Sequence, residues 1–277
     1  MKISVSSYSF SQLRRDPAEL IGLAKELGFS AIEYTDVPPE TALRLREESE
    51  ARGLPIICYT VGADFLRAES LEEEIERLCG QVDTAAALGV KLMRHDATRG
   101  FSAPHAAYQG FAQALPVLAR GCRAVTEYAA ARGIATMVEN HGFFCQDSSR
   151  VAALIGAVGH PNFGALVDVG NFLCADEDPA KATGALASMA KHVHAKDFHV
   201  KPGSCDNPGE GWFRSRGGNY LRGAIVGHGE VPLRQCLTNL MRAGYDGYAS
   251  IEFEGMEDCL KGLRIGRENL ERYCDAI

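Results

Sequence analysis

The sequence predicts an α/β chain of the (β/α)8 TIM-barrel class, a single domain over residues 1–277. Three observations carry this. Short apolar or β-branched runs are followed, eight times, by a longer helical pattern. The repeat averages about 35 residues, the size of a β/α unit, and the total lies close to the ~250 residues typical of a closed eightfold barrel. Finally, the first run leads into SYSFSQLRRD, without the glycine-rich phosphate turn that opens a doubly wound sheet.

The elements read in order as follows. The run Lys2–Ser9 (KISVSSYS) precedes Asp16, which caps PAELIGLAKELG, with Pro17 at the first helical position and Gly28 as the stop. Ala31–Thr35 (AIEYT) precedes a helix near Glu40–Arg52. Pro55–Val61 (PIICYTV) leads to Ser70, which opens LEEEIERLCGQVDTAAALG, and Glu73 three residues on completes a capping box. Lys91–His95 (KLMRH) precedes one long or broken helix from about His105 to Arg132, ended by Gly133. Thr136–Asn140 (TMVEN) is followed by Ser148–Val158, and Ala165–Val169 (ALVDV) by a helix starting at Asp178-Pro179. His192–Lys196 (HVHAK) precedes LRQCLTNLMRAG, which begins after Val231-Pro232 and ends at Gly244. Tyr248–Phe253 (YASIEF) is followed by the closing helix, about Met256 to Cys274. Several runs are almost continuously apolar, as expected of parallel strands covered on both faces.

One connection is out of scale. Between His199 and Glu230, after the seventh strand, eight glycines fall in 32 residues and no period is visible. Loops of this length without structure of their own are usually functional or disordered. This one carries the only tryptophan, Trp212, with Lys201, Arg214, Arg216 and Arg222. It is expected to be a long loop covering the substrate.

Composition sets outer limits. With 29 basic and 36 acidic residues the net charge is −7, the opposite of what a binder of phosphate backbones shows, so no nucleic-acid partner is expected. No run approaches 18 apolar residues, so no membrane span is expected, and the first ten residues lack the apolar stretch of a secretory signal. Nine cysteines without a CxxC pair read as reduced thiols of a cytoplasmic protein, most of them small core residues.

In a barrel, charged residues at the C-terminal ends of strands face the site. The fifth run ends in Glu139-Asn140-His141, the sixth contains Asp168 with Asn171 just beyond, the seventh reads His192-Val193-His194-Ala195-Lys196-Asp197, and the eighth contains Glu252 and Glu254. Taken singly, such a carboxylate is more often a cap or an ion-pair partner, and His194 competes with His192, which also reads as a favourable end to the preceding helix. Taken together, they place ionisable groups inside four consecutive apolar runs. Burying Glu139, Asp168 and Glu252 without compensation costs several kcal/mol per charge, and a divalent cation removes that cost.

The segments VENH, VDVGN, HVHAKD and IEFEG, in this order on these strands, resemble the xylose isomerase-like superfamily of TIM barrels. That superfamily contains sugar and sugar-phosphate isomerases and epimerases, keto-cyclitol dehydratases and a DNA-repair endonuclease branch. The resemblance covers essentially the whole chain and is sharpest from Glu139 to Glu254. It implies metal ligation by Glu139, Asp168, His194 and Glu252, and an acid/base pair formed by Glu139 and Glu252. Three carboxylates and one imidazole suit Mn²⁺ best, with Mg²⁺, Co²⁺ or Zn²⁺ as alternatives. Such an ion polarises a hydroxy-ketone and stabilises the enediolate formed on deprotonation, while two carboxylates trade the roles of base and acid. His141, Asn171 and Lys196 are candidate substrate contacts, and Lys196 is equally placed to pair with Asp197 or Glu254. Where some epimerase relatives have a histidine three residues after the metal aspartate, this chain has Asn171. Where relatives carry an arginine beyond the metal histidine, Val200 stands here, so Lys196, Lys201 or Arg214 would serve instead. Glu33, Arg94 and His95 shape the pocket.

The expected function is thus a metal-dependent isomerase or epimerase of a small sugar, sugar phosphate or polyol-derived substrate. The alternative is a dehydratase of a keto-cyclitol or similar polyhydroxy ketone, which shares the first proton abstraction. The repair-nuclease branch needs further histidine ligands that the third strand (ICYTVGAD) does not supply. A non-catalytic sugar-binding barrel would not be expected to keep all four ligands. Association into a homo-oligomer is the only macromolecular partnership anticipated.

Overall fold

The structure, a computed structural model, describes all 277 residues. Eight parallel strands close the barrel: β1 (Lys2–Ser6), β2 (Ile32–Thr35), β3 (Ile56–Val61), β4 (Leu92–His95), β5 (Ala135–Glu139), β6 (Phe163–Asp168), β7 (Ala190–Ala195) and, last in the chain, β11 (Tyr248–Ile251). They pair in sequence order, and β1 closes on β11 through the register Lys2↔Tyr248 to Val5↔Ile251. Around them lie α1 (Pro17–Glu26), α2 (Ala42–Arg52), α3 (Leu71–Leu88), α4 (Phe111–Ala130), α5 (Ser148–Val158), α6 (Pro179–Leu186), α7 (Leu233–Arg242) and α8 (Cys259–Asp275).

The capping residues explain most of these boundaries. Asp16 Oδ1 accepts the N–H of Ala18 with Pro17 in the first turn, and Asp178 accepts that of Lys181. Ser70 Oγ accepts the N–H of Glu73 at 3.1 Å, which satisfies one donor of the first turn of α3. Glu74 instead turns back to the N–H of Asp64 at 2.8 Å, so the reciprocal half of the expected capping box comes from the neighbouring residue and reaches a different loop. Six of the nine cysteines are buried. No helix is long and apolar enough to cross a membrane.

Three expectations are corrected. The first run ends as a strand at Ser6, because Ser6 Oγ accepts the N–H of Tyr8 and the chain winds into a 3-10 turn over Ser7–Leu13. His192 does not end a helix: it lies inside β7, buried, with its ring turned into the barrel. The connection after the seventh strand is not unstructured. It folds into a three-stranded antiparallel sheet of β8 (Asp197–Lys201), β9 (Phe213–Arg214) and β10 (Tyr220–Ala224), ordered β8-β10-β9. One face of it, with Phe198, Val200 and Leu221, packs on Leu173 and Cys174 in the loop after β6. Asp197 anchors its base by accepting the N–H groups of Phe198, Gly227, Gly229 and Val231 at 2.8–3.1 Å.

Candidate metal centre

Glu139 ends β5, Asp168 ends β6, His194 lies near the end of β7 and Glu252 follows β11. Inward-facing positions at the C-terminal ends of four neighbouring strands bring their donor atoms within 4.8 Å of one another. His194 Nδ1 is the hub: it lies 3.7 Å from Glu139 Oε1, 3.8 Å from Asp168 Oδ2 and 3.7 Å from Glu252 Oε1. Two donors bound to one small divalent ion at about 2.1 Å lie at most about 4.2 Å apart, and the three separations from His194 Nδ1 meet that limit.

The remaining atoms of the same groups are spoken for. Asp168 Oδ1 accepts the N–H groups of Gly170 and Asn171 at 2.8 and 2.9 Å, where the chain turns out of β6. Gly170 is required there, because a Cβ would lie 2.7 Å from the carbonyl oxygen of Lys196. Asn140 clamps the turn through both backbone groups of Asp168, at 2.8 and 2.9 Å. Glu139 Oε2 pairs with Arg94 Nη2 at 2.8 Å, and Glu252 Oε2 with Lys196 Nζ at 2.5 Å. His194 Nε2 donates to Glu33 Oε1 at 2.7 Å. What remains is His194 Nδ1 and Asp168 Oδ2, both buried without a hydrogen-bond partner. Orphaned buried polar atoms are rare and costly, and a cation between them is the partner that this donor set fits.

The electrostatics agree. Burial pushes the Asp168 carboxyl up to about 6, with Lys196 opposing the rise and Glu139 and Glu252 adding to it. Against the same push from burial, the Arg94 guanidinium and the His194 ring hold Glu139 well below the ordinary carboxylate range. Burial depresses the His194 ring, but Glu33 and Glu252 outweigh it and raise its pKa well above the ordinary value. The carboxylates therefore demand positive charge at the His194 Nδ1 position. A divalent ion answers that demand with the imidazole neutral and its Nε2–H fixed on Glu33, the arrangement that orients metal-binding histidines elsewhere.

Of the expected substrate contacts, the structure brings three to the cluster. Asn171 Nδ2 donates to Glu139 Oε1 at 3.0 Å, and Lys196 Nζ donates to Asn171 Oδ1 at 3.3 Å. Half-exposed His141 bonds Asp96 Oδ1 at 3.0 Å, and Asp96 bonds Arg94 at 2.7 Å. Lys196 also lies 3.4 Å from Asp168 and 3.5 Å from Glu254; it is not paired with Asp197, which is engaged by backbone N–H groups instead. Lys201 and Arg214 are not brought to the cluster. The register Lys201↔Tyr220↔Arg214 puts them on the face of the small sheet opposite the one packed on the loop after β6. There Lys201 stacks on Trp212 at 5.5 Å and Arg214 on Tyr220 at 4.4 Å, so the geometry does not carry their expected role.

The participant that sequence reasoning undervalued is Glu33. It is fully buried, and its second oxygen accepts from His192 Nε2 at 2.6 Å. Its signal was present as an acid inside the apolar run AIEYT, the same signal that marked the other four.

The sequence model of the xylose isomerase-like TIM barrel family matches residues 21–273. Among solved structures, the probable 3-DHS dehydratase AsbF of Bacillus anthracis, involved in petrobactin synthesis, superposes with a TM-score of 0.77 at 20% identity, covering 98% of this chain and 99% of that one. A xylose isomerase-like TIM barrel protein from Mycobacterium smegmatis, in complex with magnesium, gives 0.74 at 18% identity over 99% and 97% of the two chains. The 3-keto-D-glucoside 4-epimerase YcjR of E. coli gives 0.74 at 16% identity over 98% and 99%. At these identities the likeness is one of fold. No curated protein sequence matches the chain. The match over residues 21–273, on a closed eight-stranded barrel, shows that this chain belongs to the xylose isomerase-like TIM barrel family.

Proposed function

We propose that the chain is a divalent-metal-dependent isomerase or epimerase of a sugar- or polyol-derived carbonyl compound. The observation that carries this reading is the pair of orphaned buried atoms, His194 Nδ1 and Asp168 Oδ2, facing Glu139 and Glu252. Glu139, Asp168, His194 and Glu252 would hold the ion, which supplies Lewis-acid polarisation of a substrate carbonyl and so acidifies the neighbouring C–H.

The chain's own residues do the rest. Glu139 and Glu252 each turn one oxygen to the centre and give the other to a cation, Arg94 or Lys196. Each carboxylate is thereby fixed in position, with one oxygen 3.7 Å from His194 Nδ1. One, as the carboxylate, would take the proton from the carbon beside the carbonyl, and the other, entering the cycle as the protonated acid, would give its proton to the enediolate; the two protonation states are then exchanged and are reset through solvent. Asn171, tied to both Glu139 and Lys196, positions a substrate hydroxyl between them.

The test is solvent deuterium uptake, followed by NMR with Mn²⁺-loaded protein and a panel of ketoses, aldoses and keto-cyclitols. Deuterium beside a carbonyl together with a new isomer is expected, and Glu252→Gln should lower the exchange rate by about 10²–10⁴-fold. Loss of water with a new near-ultraviolet band would replace the reading by the dehydratase. Exchange unchanged in Glu252→Gln would remove Glu252 from the acid/base pair.

A further inference from the structure

Beside the centre, between the loops after β2, β3, β4 and β5, lies a cleft of about 440 Å³, within the size range of small-molecule sites. Its charged walls are Asp36, Asp64, Glu74, Asp96, Arg77 and Arg99, and His141 also lines it. Bonded side chains link the cleft to the centre: Asp96, on the cleft wall, bonds both His141 and Arg94, and Arg94 holds Glu139.

Every cation of this surface already has carboxylate partners. Arg77 is bidentate on Glu74 and donates to the carbonyl of Gly62. Arg99 bonds Asp64 at 3.3 Å, and Arg67 lies 4.0 Å from the same carboxylate while donating to the carbonyl of Gly100. Arg94 is shared by Asp96 and Glu139, and Lys196 by Glu252, Asp168 and Glu254. Cleft and centre together hold nine carboxylates, counting Glu33 and Asp36, against five fixed cations, so a bound divalent ion still leaves the wall two charges negative. Lys201 and Arg214, which have no carboxylate partner, stand on the face of the small sheet opposite the one packed on the loop after β6.

We infer that the substrate of this site is an uncharged polyhydroxylated carbonyl compound, neither phosphorylated nor carboxylated. This rests on the reading of the centre proposed above and narrows it. A phosphate or carboxylate entering the cleft meets like charge, and it gains a cation only by stripping that cation from its own carboxylate. Hydroxyl groups meet the opposite situation, because ionised carboxylates are acceptors only and each offers several lone pairs to an O–H donor.

Calorimetric titration with inorganic phosphate tests this, in Mn²⁺-loaded and metal-free protein, with stoichiometric Mn²⁺ uptake measured separately by electron paramagnetic resonance. The parent is expected to show no saturable phosphate binding below 10 mM. The double variant Asp36→Asn/Glu74→Gln removes two negative charges and frees Arg77, and its phosphate affinity should rise at least tenfold. Saturable sub-millimolar binding of phosphate in the parent would overturn the inference, and so would a double variant that gains none. Failure of Mn²⁺ to bind would instead strike the reading of the centre, while the phosphate titration of the metal-free cleft still decides its charge preference. With any free sugar found to bind, its phosphate ester should bind at least tenfold more weakly, and the reverse order would also overturn the inference.

Discussion

Glu33 divides its two oxygens between two imidazoles, His194 at 2.7 Å and His192 at 2.6 Å, and His192 Nε2 lies 3.1 Å from Ser250 Oγ. Ser250 bonds Ser4 across the closing seam at 2.6 Å. The side chain that turns His194 Nδ1 toward the centre is thus held by the barrel's own closure. Glu33→Gln keeps the shape but not the charge that fixes the His194 tautomer. It should weaken Mn²⁺ binding about 10–100-fold, measured as free Mn²⁺ by electron paramagnetic resonance, with circular dichroism unchanged. A second residue-scale prediction concerns His95, buried between the edge of Phe65 at 5.9 Å and the face of Phe163 at 6.1 Å, with Nε2 unpaired. Burial depresses its pKa below 6.5, and Arg94 adds to the fall while the Asp96 carbonyl and carboxylate and Glu74 oppose it. The unfolded chain therefore binds the proton first. The stability this group contributes is complete above about pH 6.5 and is lost as pH falls through its folded value. Urea midpoints of the parent should drop between about pH 7 and about pH 5, and His95→Gln should flatten that limb; equal slopes would contradict it.

At the scale of elements, the eight barrel strands were legible because each is a run of four to six residues buried on both faces, so apolar continuity and position coincide. The small sheet was not. Its strands have five, two and five residues, its turns are rich in glycine, and its apolar face, with Phe198 and Leu221, packs on Cys174, far away in sequence. No local period marks such a sheet, which exists only once the loop after β6 is in place to pack against. The Glu33–His194 bond was hidden for the same reason: the acid and the imidazole are 161 residues apart and meet only across the closed barrel. The convergence of Glu139, Asp168, His194 and Glu252 was legible because four strand ends in a barrel converge by construction, whereas the facing of Lys201 and Arg214 was not, because strand pairing in the loop decides it. The sheet docks on the loop after β11 through the bridge Gly223↔Gly255, where a Cβ on residue 223 would run into the backbone of Glu254. Gly223→Ala should cost about 1–3 kcal/mol and lift the sheet. Trp212, the only tryptophan, reports this directly: its emission should shift to the red and its quenching by iodide should increase. Unchanged emission and melting temperature would show that the bridge is dispensable.

For the whole molecule, the centre ties β5, β6, β7 and the end of β11 together at one end of the barrel, so occupancy and global stability are linked. An ion that binds only the folded chain stabilises it by about 2.7 kcal/mol at 100 times its dissociation constant. The melting temperature should therefore rise with Mn²⁺ concentration, and Asp168→Asn should abolish the rise. The most direct test of the central claim is Mn²⁺ titration of the parent and of His194→Ala, read as free Mn²⁺ by electron paramagnetic resonance, with Trp212 emission and circular dichroism recorded on the same samples. The parent should take up one equivalent, and the variant, still folded, should take up none over the same range. A folded His194→Ala variant that binds one equivalent with the affinity of the parent would contradict the assignment of the centre.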